Sequence, residues 1–418
     1  MTDMAWINAA LTAARPQALG ALLRYFRMLD AAEDAYQEAC LRALKTWPLK
    51  GPPRDPAAWL IFVGRNFGLD EVRRRNKSTA LPDDEDLAPE PEDTQGELAD
   101  RLDESHYRDD ILRLLFVCCH PDLPATQQIA LALRIVSGLT VKEIARAFLV
   151  GESAMEQRIT RAKARITAAE VPFETPGATA RAERLVAVST MIYLLFNEGY
   201  TASGGDAHIR APLCEEAIRL GRLLLRLFPG NCEVMGLLAL MLFQHARAGA
   251  RLDADNNVVL LEEQDRTRWD RGLIAEGLAL LEKAIRHRNI GPLQIQAAIA
   301  ATHSRALTAA TTNWGEIDRL YEILEVLQPS PVVTLNRSVA VAKLRGPTDA
   351  LAMIEPLAEK LDSYFYFFGV KGAFLTQLGR SEEARTAFNR AIALANTAAE
   401  AAHIRLHLDR LQKDCASP

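Results

Sequence analysis

The chain has 418 residues, of which 49% are hydrophobic, 25% charged and 6% aromatic, with 23 Gly and 20 Pro. That much apolar material can build about two to four domain cores, and it excludes wholesale disorder, a collagen-like repeat and low complexity. The net charge of −5 argues against a nucleic-acid partner when taken alone, but the charge is spread unevenly: +4 over residues 1–78, −11 over 79–110, +3 over 111–170 and −1 over 171–418.

Six cysteines (Cys40, Cys118, Cys119, Cys214, Cys232, Cys415) form no CxxC pair and no regular spacing. Neither a disulfide framework nor a zinc ribbon is expected. Asn8 interrupts the apolar stretch after Met-Thr-Asp, which does not read as a signal peptide. The longest apolar run, Val234–Phe243, is about half of what a membrane-spanning helix needs. A reduced, cytoplasmic protein without membrane contact is expected.

In chain order, i, i+3, i+4 apolar spacing recurs throughout and alternating β-branched runs are scarce, so the chain reads as all-α. A helical module covers residues 1–78. Residues 79–105 follow, where Pro82, Pro89 and Pro91 stand among Asp and Glu. Prolines and like charges both oppose compaction, which makes this stretch an acidic flexible linker. A second helical module covers residues 106–170, and Pro172 and Pro176 end its last, basic helix. The third part, 177–418, carries a repeat. Gly379–Ala391 has the pattern of the second helix of a tetratricopeptide repeat, and Gly372 stands where the first helix needs a small residue. Ala350 lies 34 residues before Ala384, and Ile317 a further 33 earlier. Three units at that period predict stacked helical hairpins.

The second module contains Gly138-Leu139-Thr140-Val141-Lys142-Glu143-Ile144-Ala145 and, after Gly151, a longer helix. Thr140 with Glu143 is a capping box. Ile144, Ala145 and Phe148 form one inner face, and Met155, Ile159 and Ala162 the next. A short helix, a turn and a longer helix make a helix-turn-helix, whose second helix enters the major groove. Arg158, Arg161 and Arg165 fall on one side of that helix, with Lys163 nearby, and suit phosphates. Residues 152–157 are placed to reach base edges. A solvated basic helix in a plain bundle is the alternative.

The first module reads Asp30-Ala31-Ala32-Glu33-Asp34-Ala35-Tyr36-Gln37-Glu38, then Trp47-Pro48, then Trp59-Leu60…Arg65-Asn66…Asp70…Arg73-Arg74-Arg75. This order resembles the promoter-melting domain of bacterial RNA polymerase sigma factors of the extracytoplasmic-function type. The linker and the helix-turn-helix fall where that family's second promoter-binding domain belongs. Ile192–Tyr200, Gln264–Asp270 and Cys118-Cys119-His120-Pro121 resemble the subgroup with a C-terminal tetratricopeptide-like extension.

The resemblance implies two small helical promoter-binding domains joined by the acidic linker, followed by a helical-repeat regulatory domain. It implies that core RNA polymerase is met by Asp30, Glu33, Asp34, Gln37 and Glu38. Promoter DNA would be met at the minus-ten element by Arg65, Asn66, Arg73, Arg74, Arg75 and Lys77, and at the minus-thirty-five element by Gln157, Arg158, Arg161 and Lys163. Family members commonly have a small polar cap and an early basic residue in the recognition helix, where this chain has Gly151 and Glu156. Glu156 would accept from a cytosine amino group or repel phosphate.

Read without the resemblance, the acidic run is a solvated helix face, and Arg73–Arg75 complement a helix dipole. Trp59, Phe62, Val63 and Phe67 keep helical spacing and read as core. A tetratricopeptide helix-turn-helix regulator acting without a sigma role is the second functional reading. The C-terminal half fits a protein partner or the chain's own N-terminal modules. Asn197, Glu198, Asp265, Arg266 and Asp270 are candidates for a polar pocket or for a buried Asp–Arg pair that fixes helix packing. No phosphate loop, nucleophile elbow or His-Glu-x-x-His motif occurs. No enzyme, cofactor or metal is therefore expected.

Overall fold

The computed structural model describes residues 5–51, 53–76, 104–148, 150–168, 178–200, 207–253 and 259–395, with parts of 401–411. The linker expected at 79–105 lies outside the described residues apart from its last two positions. The described residues are helical with no strand ladder, as the periodicity predicts. They form two compact units, Met1–Leu195 and Phe196–Pro418.

In the first unit α1 (Ala5–Phe26), α2 (Leu29–Lys50) and α3 (Pro56–Asn76) pack on one another. Their core holds Leu19, Leu22, Ala32, Tyr36, Trp47, Trp59 and Leu60. Trp47 stacks on Trp6 and meets Trp59 edge-on with ring centroids 5.4 Å apart. The expected core role holds for Trp59 and Val63, which are buried, while Phe62 and Phe67 are half-buried. Asp55 starts α3 by accepting from the backbone N–H of Ala57 and of Ala58.

The helix α4 (Glu104–Cys118) also packs on α1, and buried Asp110 meets Arg113 at 3.2 Å and Arg24 at 3.5 Å. Then come α5 (Ala125–Ala132), a π-turn (Leu133–Ser137), α6 (Val141–Ala147) and α7 (Glu152–Ala168). The π-turn rests on α1 as well, so both basic modules belong to one compact unit. A further helix, α8 (Ala178–Tyr200), runs from the first unit into the second.

The second unit contains α9 (Ala207–Leu227) and four stacked hairpins. These are α10 (Cys232–His245) with α11 (Arg271–Arg286), and α12 (Pro292–Arg305) with α13 (Trp314–Leu327). They continue with α14 (Pro331–Arg345) and α15 (Pro347–Ile354), then α16 (Phe365–Gln377) and α17 (Ser381–Leu394). The apolar run Val234–Phe243 is the wholly buried stretch of α10, packed against α9, α11 and α12. Apolar all round, it suits a core helix enclosed by neighbours. Ile317, Ala350 and Ala384, the three residues at the repeat period, are all buried at their hairpin seams. Gly372 is small for the expected reason: an added Cβ would lie 2.5 Å from the Phe388 ring.

Candidate functional site

Local sequence signals build the helix-turn-helix. Leu139 donates to the Leu133 carbonyl and closes the π-turn, with Gly138 in the left-handed region at φ +77°. Thr140 then starts α6. Its N–H donates to Glu143 Oε2 at 2.7 Å, and Glu143 N–H donates back to Thr140 Oγ1 at 3.2 Å. The backbone N–H of Thr140 and then its hydroxyl hold the Glu143 carboxyl below its ordinary range. Ile144 and Ala145 are buried and Phe148 half-buried; on α7, Met155, Ile159, Ala162 and Ile166 form the buried stripe. Gly151 is exposed at the turn, and its carbonyl accepts from Met155 N–H.

With that stripe inward, Gln157 and Arg161 are exposed, as are Arg165 and Glu156, while Arg158 is half-buried. Lys163 points another way. Two residues along a helix is a turn of about 200°, so Lys163 leaves the arginine side and reaches α2. Its Nζ lies 2.9 Å from Asp30 Oδ1 and 2.5 Å from Glu33 Oε2. Burial alone would lower the Lys163 ammonium, but Glu33 and then Asp30 outweigh it and raise it above the ordinary lysine value.

The acidic side of α2 is thereby divided. Asp34 and Gln37 are exposed, and Glu38 pairs with Arg42 one turn on at 3.2 Å. Asp30 is exposed but engaged by Lys163, and Glu33, with 4% of its side chain accessible, is buried between Lys163 and Arg15. Arg15 is a residue that sequence reading passed over. It lies 3.9 Å from Glu33 and over the Tyr36 ring, and it donates to the carbonyls of Ile135 at 2.8 Å and Arg134 at 3.1 Å. Nothing local to position 15 marks those partners, about 120 residues away along the chain.

On α3, Arg65 is half-buried with its guanidinium 4.7 Å from the ring centroid of Tyr25, and Asn66 is exposed beside it. The helix continues through Arg73, Arg74 and Arg75 to Asn76. The side chains of those three arginines, and Lys77 entirely, lie outside the described residues. Cys118 and Cys119 are both buried at the end of α4, and burial raises both thiols, Cys119 to about 12.

In the second unit Arg266 is buried, and among the described residues no Asp partner of the kind expected is found. It donates to the carbonyls of His303 at 2.7 Å and Ala306 at 3.0 Å, and to Thr312 Oγ1 at 3.1 Å. The two aspartates of its segment work as caps instead. Asp265 accepts from Thr267 N–H, and Asp270 starts α11 by accepting from Gly272 and Leu273 N–H. Burial first, and then the positive charges of Arg247 and Arg266, push the His303 imidazole down to about 4. His303 also lines a half-open cavity of about 470 Å³ with Trp314, Tyr321, Asn336, Lys343 and Phe374. Lys343 closes one side of it through a 2.7 Å ion pair with Glu262.

Comparison with known proteins agrees with this layout. Sigma-70 region 2 matches residues 11–78 and Sigma-70, region 4 matches residues 113–166. A family of unknown function (DUF6596) matches residues 184–285. An uncharacterized protein of Rhizobium meliloti (strain 1021) is 67% identical over 417 residues, covering 100% of this chain and 98% of that protein. The crystal structure of yeast Tom70 aligns with 96% of this chain and 83% of that one, at 13% identity and a TM-score of 0.38. Regions 2 and 4 in this order, followed by the matched extension, place the chain among the sigma factors of the extracytoplasmic-function type, in the form that carries a C-terminal extension.

Proposed function

We propose that the protein binds core RNA polymerase through the acidic side of α2 and directs it to promoters through α3 and α7, under the control of the C-terminal extension. A role in promoter recognition follows from its sigma-70 regions. The observation that carries the residue-level reading is the helix-turn-helix itself: a complete capping box, a buried stripe on α7, and Gln157 and Arg161 exposed on the recognition helix. Arg161, with Arg158 at the edge of the same side, supplies positive charge to minus-thirty-five phosphates, and Gln157 near the helix start is placed for a base edge. Asn66 and Arg65 on α3, with Arg73, Arg74, Arg75 and Lys77 beyond, are assigned to the minus-ten element.

For the extension, the cavity lined by Trp314, Tyr321 and Phe374 supports a regulatory ligand or peptide partner. It combines aromatic walls with a few polar groups, as binding pockets do. Truncation after Thr175 tests this part. A change in promoter-specific transcription in either direction supports regulation by the extension, and unchanged transcription refutes it. The sigma role is tested by binding to core polymerase, where exposed Asp34 and half-buried Glu38 are the positions to reverse.

A further inference from the structure

We infer that the half-open cavity in the repeat array of the second unit binds a small, uncharged, planar heteroaromatic molecule, held among Trp314, Tyr321 and Phe374 and oriented by hydrogen bonds from the cavity walls. This rests on the proposed reading of the cavity as a regulatory site and names the class of ligand that the site takes.

Helical spacing builds the walls. Trp314, Ile317 and Tyr321 stand at i, i+3 and i+7 on α13, and Asn336, Ala340 and Lys343 stand at i, i+4 and i+7 on α14, so each helix turns one face to the cavity. The helix α16 adds Ala373 and Phe374, and the turn at 260–263 adds a further wall. These walls are fixed before any ligand arrives. Trp314 packs edge-on to the His303 ring with centroids 5.4 Å apart, and the Lys343 ammonium lies 5.9 Å from the Trp314 ring centre. Arg266 bonds to the His303 and Ala306 carbonyls at the end of α12 and to Thr312 Oγ1 just before α13, which ties down the link between the two rings. Aromatic surfaces held in this way lose little freedom on binding.

The open polar groups set the class of ligand. Among the described residues, the Trp314 indole N–H, the Tyr321 hydroxyl and the Asn336 amide have no hydrogen-bond partner, and neither has the buried His303 Nδ1. Burial pushes the Tyr321 hydroxyl up to about 12, so it keeps its proton and donates. Such groups around aromatic walls suit a flat ring system that carries its own acceptors and donors. Charge disfavours the ionic classes. Glu262 already neutralises Lys343 at 2.7 Å, so an anion would have to displace that carboxylate. A cation beside His303 would meet Arg247 and Arg266, whose charges already act against protonation of that ring. The volume of about 470 Å³ accommodates a fused bicyclic ring with substituents.

The test is calorimetric titration of the full-length protein at neutral pH. The neutral probes are adenine, uracil, nicotinamide and indole. The charged probes are nicotinate and benzylamine, and the peptide Leu-Leu-Glu-Glu copies the turn at 260–263. At least one neutral probe should bind with a dissociation constant of about 1 mM or tighter. Charged probes should bind at least tenfold more weakly than the best neutral one. Tyr321→Phe, which keeps the ring and removes the hydroxyl, should weaken binding roughly fivefold. Ala373→Leu, which narrows the cavity, should abolish it, with the thermal unfolding of both variants measured alongside.

Binding that survives both substitutions unchanged lies elsewhere on the protein and overturns the site. A charged probe or the peptide that binds as tightly as the best neutral probe, and is lost in Ala373→Leu, overturns the ligand class while the reading of the cavity as a binding site stands. Absence of binding by every probe overturns both. The truncation after Thr175 decides regulation by the extension separately.

Discussion

The ring of Phe388 lies over the α-carbon of Gly372, so that a Cβ at residue 372 would sit 2.5 Å from Cε1 and 2.6 Å from Cδ1. Phe388 is buried at 1% exposure, at the centre of the last hairpin, and its ring has no solvent to move into. Gly372→Ala gains about 1 kcal/mol of helix propensity, but overpacking a dense core costs about 1–3 kcal/mol. The expected outcome is a net loss of about 1 kcal/mol in urea unfolding of the full chain. Stabilisation would mean that the α16–α17 seam is looser than described.

His303 gives the second unit a pH dependence whose sign is fixed. Its folded pKa is depressed to about 4 by burial and by Arg247 and Arg266, against 6.5 unfolded, so folding disfavours the proton. Stability is fully present above pH 6.5 and is lost as pH falls from there toward 4. By linkage the loss at pH 5 is about 2 kcal/mol. His245, also depressed mainly by burial, acts in the same direction. Unfolding measured at pH 7.5 and at pH 5 should lose less stability in His303→Gln than in the parent. Equal losses would contradict this account.

Thr140→Ala removes the hydroxyl half of the capping box and should destabilise α6 by about 1 kcal/mol. Thr140→Ser keeps the oxygen and should behave as the parent does. Hydrogen exchange of the α6 amides is the readout, with faster exchange in the alanine variant alone. The contribution of Glu143 is present above the ordinary carboxylate range and fades as pH falls through its lowered value.

Asp34 and Glu38 discriminate between the two functional readings of the sequence. Reversing both to Arg should lower core-polymerase binding at least tenfold while leaving Gln157 and Arg161 in place for DNA. An ordinary helix-turn-helix regulator would keep its full activity with the same two changes. Arg161→Ala, by contrast, should weaken promoter binding roughly uniformly across sequences and lower the salt slope by about 1.

The features legible in the sequence are those that depend on local spacing. Met155, Ile159 and Ala162 declare the inner face of α7, Thr140 and Glu143 declare the start of α6, and Ala384, Ala350 and Ile317 mark hairpin seams at their period. What stayed hidden depends on contacts between distant segments. The arginine side of α7 can be read from its spacing, but that Lys163 turns to Asp30 and Glu33 follows only from how α7 docks on α2. Arg266 illustrates another limit. A buried arginine near aspartates suggests an ion pair, yet two of its hydrogen bonds go to backbone carbonyls, which carry no signature in side-chain identity, and a third to a threonine hydroxyl 46 residues away. Arg15 was hidden for the same reason, since the carbonyls of the π-turn are its acceptors.

The central claim is a sigma role, and the most direct measurement is run-off transcription by bacterial core RNA polymerase with and without the full-length chain, on a library of genomic fragments. The account predicts that core polymerase alone initiates without preference. Adding the chain should produce discrete transcripts from a small set of fragments, lost together in the Asp34→Arg, Glu38→Arg double variant. Absence of core binding, with no discrete transcripts at any protein concentration, would contradict it.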